Sequence, residues 1–217
     1  MAGGGGRVPG SGGATGGGGN GGKPGNTGGA PATGGAGGTT TGGTFTVTST
    51  WTNMAGCAAN MSASCATLPT AITRSGAGTS PELNWTGAPA NTKSFAVVLQ
   101  DLSGNSTHWV IWNIPGTATM LPDNVLRTSA MPTNVPGAQQ CGKGTDAATK
   151  FGYIGPGAAC NVYEFRVYAL NVSPFAPTAA SCATTTDAAM IRTQLNGLGA
   201  DLLGTATILG RTNMTCN

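Results

Sequence analysis

Two side chains of complementary chemistry stand close together in the stretch Ser94 to Pro115: Asp101, and His108, the only histidine in the chain. A carboxylate beside an imidazole can orient it and favour its charged form, leaving a ring N–H to donate to an anion. With a nucleophile the same pair could act as a general base. Ser106 is the nearest hydroxyl in sequence, but residues two apart on an extended chain share a side without being held in contact. No Gly-x-Ser-x-Gly elbow is present. Seven scattered Asp and Glu single out no pair of carboxylates for glycoside chemistry. One histidine and no Cys-x-x-Cys pair leave no metal-ligand set. Gly152 to Gly157 reads G-x-x-G-x-G, which is not a phosphate-loop signature. The residues alone leave the pair open between a functional site and a structural histidine, and the expectation is no enzyme activity and no cofactor.

The elements that must hold this pair are legible on either side of it. Phe95 to Leu99 and Trp109 to Ile114 are short, β-branched and aromatic, and read as strands joined by a polar turn. Strict alternation puts His108, Val110, Trp112 and Ile114 on one face of the second strand, with Trp109, Ile111 and Asn113 on the other. Both faces are apolar, so this strand is expected inside a sheet covered on both sides. Phe45, Val47 and Trp51 alternate with polar residues as in a strand, Ile72 and Arg74 begin another extended piece, and Leu83 and Trp85 share one side of a third. Residues 116–149 read as a long irregular loop. Tyr163, Phe165, Val167 and Ala169 alternate with Glu164, Arg166 and Tyr168, the clearest strand in the chain. Thr186 is placed to cap a helix starting at Asp187, with Met190, Ile191, Leu195 and Leu198 as its apolar stripe. A final strand spans 201–211. The sum is mostly β, a two-sheet antiparallel sandwich with one or two short helices.

Composition bounds the rest. Residues 1–43 hold 22 of the 38 glycines and no sizeable apolar residue after Val8, so they are read as a disordered glycine-rich tether. Residues 44–217 form the folded domain. Ten Lys and Arg against seven Asp and Glu give a formal net charge of +3 without a basic cluster, which excludes the electrostatic footprint of nucleic-acid binding. Six cysteines, all in the domain, fit disulfides: Cys57, Cys65, Cys141, Cys160, Cys182 and Cys216. Pairing in sequence order gives Cys57–Cys65, Cys141–Cys160 and Cys182–Cys216. Disulfides and a charge-poor, Thr- and Asn-rich surface point to an extracytoplasmic protein: secreted, periplasmic or tethered to a surface. No apolar run is long enough to span a bilayer, and no signal peptide is visible, so export implies a longer precursor.

One family gathers these features. Ser80-Pro81-x-Leu83-x-Trp85, Ser94-Phe95-Ala96-Val97-Val98, Asp101, His108-Trp109-Val110, Asn113-Ile114-Pro115, Gly155-Pro156 and Tyr163-x-Phe165-x-Val167-Tyr168 follow one another in an order that resembles the phosphatidylethanolamine-binding proteins. The closing Leu203-Gly204-x-Ala206-x-Ile208-Leu209-Gly210 is similar as well, and the nearest branch is the bacterial Raf-kinase-inhibitor-like group. The resemblance implies a two-sheet β-fold with a small pocket for phosphate-like anions or phospholipid headgroups. Carried over, that pocket comprises Asp101, His108, Gly155, Pro156 and Tyr163, with Trp85 nearby. Two positions depart from the family pattern: Asp-Pro-Asp becomes Asp101-Leu102-Ser103, and His-Arg-Tyr becomes Asn161-Val162-Tyr163. Each lost charge-assisted hydrogen bond is expected to weaken anion binding by about 1–3 kcal/mol. The predicted function is non-catalytic recognition of a small anion or phosphorylated headgroup by a tethered domain. A structural or protein-interaction envelope domain with a vestigial pocket is the alternative, and a hydrolase is a third.

Overall fold

In the computed structural model the described residues are 43–146 and 149–212. The strands in chain order are β1 (Thr46–Thr48), β2 (Leu83–Thr86), β3 (Ser94–Asp101), β4 (Ser106–Pro115), β5 (Met120–Leu121), β6 (Gln139–Gly142), β7 (Val162–Leu170) and β8 (Leu202–Arg211). One helix, α1, spans Asp187–Asn196. The strands form a three-stranded sheet in the order β1-β2-β5 and a five-stranded sheet in the order β6-β4-β3-β7-β8. The pairings between these strands are all antiparallel, as the alternation and the tight turn after Asp101 predict.

The five-stranded sheet has two dry faces. Phe95, Val97, Leu99, Trp109, Ile111, Phe165 and Val167 pack against Val47, Leu83, Trp85 and Leu121 of the small sheet. Ala96, Val98, Val110, Trp112, Tyr168 and Leu170 pack against Ala188, Ile191 and Leu195 of α1. β3 and β4 are therefore apolar on both sides, which is why they read as nearly continuous hydrophobic runs.

Two register shifts between β3 and β4 break the alternation. Leu99 pairs with Trp109 and Gln100 with Thr107, so His108 is an extra residue on β4. Phe95 pairs with Ile114 and Val97 with Ile111, and the extra residue there is accommodated with Asn113 at φ 61°. Asn113 is held in that left-handed conformation by Phe175, whose N–H it accepts at 2.7 Å and whose carbonyl it donates to at 3.0 Å. Ile114 thereby joins Trp109 and Ile111 in the core between the sheets, while Val110 and Trp112 face the helix. Such bulges re-aim side chains at a small loss of ladder bonding.

Several local expectations change. The segment read as an irregular loop contains β5 and β6, both short and lacking an alternating pattern. The segment from Ile72 to Arg74 forms no strand, because Thr70–Ile72 is a 3₁₀ turn and, after the extended Thr73, Arg74 enters another turn. Thr186 makes no capping bond to α1; the Asp187 carboxylate instead accepts from the Ala183 and Thr184 N–H groups and the Thr184 hydroxyl. Those bonds hold Asp187 well ionised, below the usual carboxylate range despite its burial. Met190 is exposed rather than part of the buried stripe.

The disulfides also differ in part. Cys57–Cys65 forms as expected, but Cys141 pairs with Cys182, so neither Cys141–Cys160 nor Cys182–Cys216 exists. The reason is spatial: β6 is an edge strand of the large sheet and the segment before α1 lies against the same face as α1, which brings residues 41 positions apart to a Cα separation of 5.4 Å. Cys160 is also disulfide-bonded. Cys216, like the glycine-rich segment up to residue 42, lies outside the described residues.

The outermost strands of the large sheet continue into loop backbone. Gln140 and Gly142 of β6 donate to the Ala130 and Lys150 carbonyls at 2.8 and 2.9 Å. At the other side, Arg211 of β8 donates to Ala66 and accepts from Leu68, while the Leu209 carbonyl accepts from the Trp51 indole and its N–H donates to Asn53.

Candidate functional site

Asp101 closes β3, with Ser106 opposite it on β4 and Tyr163 opposite it on β7. The bulge at His108 turns its ring towards Tyr163, edge-on at 5.4 Å between centroids. The Tyr163 hydroxyl accepts the Gly157 and Ala158 N–H groups at 3.2 Å each. Burial raises the Tyr163 pKa, those two donors lower it, and the nearby Asp101 carboxylate raises it further.

The loop after Tyr153 is fixed by close packing. The Tyr153 hydroxyl donates to the Ile72 carbonyl at 2.8 Å, and the Arg74 N–H donates to the Pro156 carbonyl at 2.8 Å. A Cβ at Gly155 would lie 2.6 Å from the Ile72 oxygen, so only glycine fits between the two segments. This packing aims the Ile154 carbonyl at His108, whose Nδ1 lies 3.1 Å away. A carbonyl only accepts, so the ring proton sits on Nδ1 and Nε2 is an acceptor. It accepts from the Lys143 ammonium at 3.1 Å.

Lys143 follows β6 directly, and its N–H donates to the His108 carbonyl at 3.1 Å. Its Nζ also donates to the Ser106 hydroxyl at 3.1 Å. Burial and the facing Lys143 charge push the His108 pKa down to about 4, with Arg74 adding to the effect; the Ile154 bond and Asp101 oppose it. The imidazole is therefore neutral at pH 7, not the charged anion donor that the sequence suggested. Nor does Asp101 orient it. The Asp101 oxygens accept from the Gly104 N–H at 2.7 Å and the Asn161 amide at 2.8 Å. Burial lowers the Lys143 pKa and the Arg74 charge lowers it further, with Asp101 acting in the opposite direction.

Of the predicted residues, Asp101, His108, Tyr163 and Asn161 form one polar cluster, with the Gly155–Pro156 loop against it. Two others do not join them. Trp85 is buried between the sheets, its ring tilted against Phe95 at 5.0 Å between centroids and its indole N–H donating to the Ala118 carbonyl. Ser103 is exposed and pins loops together, accepting from the Val162 N–H and donating to the Ala59 carbonyl.

A cavity of about 420 Å³ opens beside the cluster, lined by Arg74, Arg127, Lys143, Asp146, Thr149 and Gly155 among others. Arg127 donates to the Gly78 and Tyr153 carbonyls at 3.3 and 3.4 Å. Asp146 accepts two bonds from Thr149. The three cations form no pattern in the sequence: Lys143 and Arg127 fall in the stretch that reads as an irregular loop, and Arg74 in one that reads as extended. The available signal was scarcity: with charged residues at 8% of the chain, Gly142-Lys143-Gly144 and Arg74-Ser75-Gly76 stand out.

The family profile of the phosphatidylethanolamine-binding proteins matches residues 59–202, about two thirds of the chain. The chain belongs to the phosphatidylethanolamine-binding protein family. Relatives of this family member include the UPF0098 protein YbcL of Escherichia coli, 38% identical over 106 residues, which make up 44% of this chain and 54% of YbcL. A UPF0098 protein of Methanothermobacter thermautotrophicus is 38% identical over 109 residues, 48% of this chain and 68% of that protein. One from Aquifex aeolicus is 30% identical over 112 residues, 48% of this chain and 61% of that protein. The sequence matches thus span between about half and two thirds of these relatives. The crystal structure of YbcL, described as a new member of the mammalian family, superposes with a TM-score of 0.55 at 27% identity, over 79% of this chain and 99% of that one. A family homologue from Chlamydia trachomatis shares the fold at 18% identity and a TM-score of 0.54, over 79% of this chain and 98% of that one. The family, its bacterial branch and the two-sheet fold agree with the sequence reading.

Proposed function

We propose that this domain binds a small oxyanion, inorganic phosphate or a phosphorylated headgroup, without transforming it. The binding site is the cavity between Arg74, Arg127 and Lys143. The observation that carries this reading is the convergence of three cationic side chains on one cavity in a charge-poor protein. The Arg74 guanidinium has no ion-pair partner among the described residues, and its charge depresses the pKa of both Lys143 and His108. An anion would relieve that repulsion and meet donors from three directions. Lys143, directly after β6, supplies a cation of the kind lost at the Asn161-Val162-Tyr163 position. The name of the family, phosphatidylethanolamine-binding protein, is consistent with a phosphorylated ligand.

A second reading, a structural or interaction domain with a vestigial pocket, draws on a different observation. Lys143, His108, Asp101 and Asn161 already bond to one another or to backbone, so the inner cluster needs no ligand. Titration of the protein with phosphate and with glycerophosphoethanolamine, followed by amide NMR, separates the two. Saturable shifts around Arg74, Lys143 and Gly155, weakened about tenfold or more by Arg74→Ala, support binding, since a hydrogen bond to a charged group contributes about 1.5–3 kcal/mol. No saturable shift at millimolar ligand would leave the interaction reading. We also propose an extracytoplasmic setting, supported by the disulfides. No helix among the described residues is long and apolar enough to cross a membrane.

A further inference from the structure

We infer that Lys143 is an imine-forming amine, and that the ligands this cavity holds most persistently are small anionic aldehydes, phosphorylated ones above all. The inference rests on the anion-binding reading and adds a covalent step to it.

Three features of the geometry set Lys143 apart. Lys143 lines a cavity of about 420 Å³, within the range of small-molecule sites, and Arg74 and Arg127 line the same cavity. It forms no ion pair among the described residues, because the buried Asp101 carboxylate is engaged by Gly104 and Asn161. Its hydrogen bonds also suit an uncharged amine. With the ring proton of His108 fixed on Nδ1, Nε2 needs only one N–H from Nζ, at 3.1 Å. The Ser106 hydroxyl, 3.1 Å from Nζ, can accept from an ammonium or donate to an amine. Losing a proton therefore breaks no contact. Burial favours that loss and outweighs the opposing Asp101 charge, and Arg74 adds to it. Lys93 lines a different cavity and shares it with no arginine or histidine, and Lys150 lies over the Phe151 ring.

The step balances without a co-reactant. The Nζ lone pair adds to the aldehyde carbon, and the carbonyl oxygen takes up a proton that the nitrogen releases. The resulting carbinolamine expels its hydroxyl as water with the second amine proton, leaving a C=N bond to Nζ. The Ser106 hydroxyl is placed to pass the proton between nitrogen and oxygen, and Arg74 and Arg127 are placed to hold the anionic end.

The test uses the full chain, pyridoxal 5′-phosphate as the aldehyde, borohydride reduction to trap the imine, and peptide mass mapping. Phosphate affinity is measured in parallel by NMR. Expected is saturable labelling of Lys143 at least about tenfold above Lys93 and Lys150. Excess inorganic phosphate should suppress it, pyridoxal without its phosphate should fall short by about tenfold, and folded Lys143→Arg should abolish it. Uniform labelling of the lysines alongside saturable phosphate binding would overturn the imine inference and leave the anion site standing. Lys143 labelling indifferent to phosphate would overturn the anionic ligand class. Absence of both labelling and phosphate binding would end both readings.

Discussion

His108 gives the sharpest test of the site, because a chain with one histidine yields one imidazole signal. In the unfolded chain that ring takes up its proton near pH 6.5, whereas in the fold it does so only near pH 4. Between those values the unfolded state binds more protons than the native state, so stability falls as pH drops through the window. At about 1.4 kcal/mol per pH unit, the gap corresponds to about 3 kcal/mol, present in full above pH 6.5 and lost in full below pH 4. The ring is 4% exposed, so solvent screens little of this. Two assays read it. The imidazole resonances should show a midpoint near pH 4 and the Nδ1–H tautomer above it. Urea unfolding from pH 7 to pH 4 should be steeper in pH for the wild type than for His108→Gln by about 3 kcal/mol over the range. Lys143→Met removes a facing positive charge, so the midpoint should rise, while burial still keeps it below 6.5. A native midpoint at pH 6 or higher, or the same pH slope with and without the histidine, would refute the packing of this ring between Ile154 and Lys143.

Other perturbations probe the supports of the site. Opening the Cys141–Cys182 bridge with a double serine substitution frees a loop spanning 41 positions, and chain entropy puts the loss at about 4 kcal/mol, readable as a lower urea midpoint. Gly155→Ala drives a methyl into the Ile72 carbonyl, and overpacking of that kind is expected to destabilise by about 1–3 kcal/mol and to weaken phosphate binding in the same NMR titration.

Much of the fold was legible because burial on both faces leaves a strong signature. β3, β4 and β7 read as strands from their apolar density, and the turn between Asp101 and His108 placed both residues at one end of the sheet. What alternation could not supply was the register. Counting by twos puts His108 with Val110 and Trp112 on the helix side, whereas an extra residue in β4 turns it towards Tyr163. A bulge is a property of the pair of strands, and neither strand carries it alone. The same limit applies to Lys143, whose role depends on β6 pairing with β4, and to Cys141, whose partner is set by the face that α1 covers. Trp85 illustrates the converse: its place in the family motif is real, but its ring serves the core between the sheets.

The loop backbone that extends β6 and β8 bears on how the protein behaves in crowded solution. A sheet of this size exposes rows of free N–H and C=O groups along its margins, each a template for another chain. Most proteins keep such margins apart partly through charge, but this one has 8% charged residues and a formal net charge of +3. Its protection is steric instead: segments around Ala130 and Lys150 close one margin, and Ala66, Leu68, Trp51 and Asn53 close part of the other. Cys65 sits one residue before the segment that covers β8, and Cys141 lies within β6 itself. Reducing these bridges thus loosens the guards on both margins at once, which makes self-association, ahead of lost ligand affinity, the consequence of placing this domain in a reducing compartment.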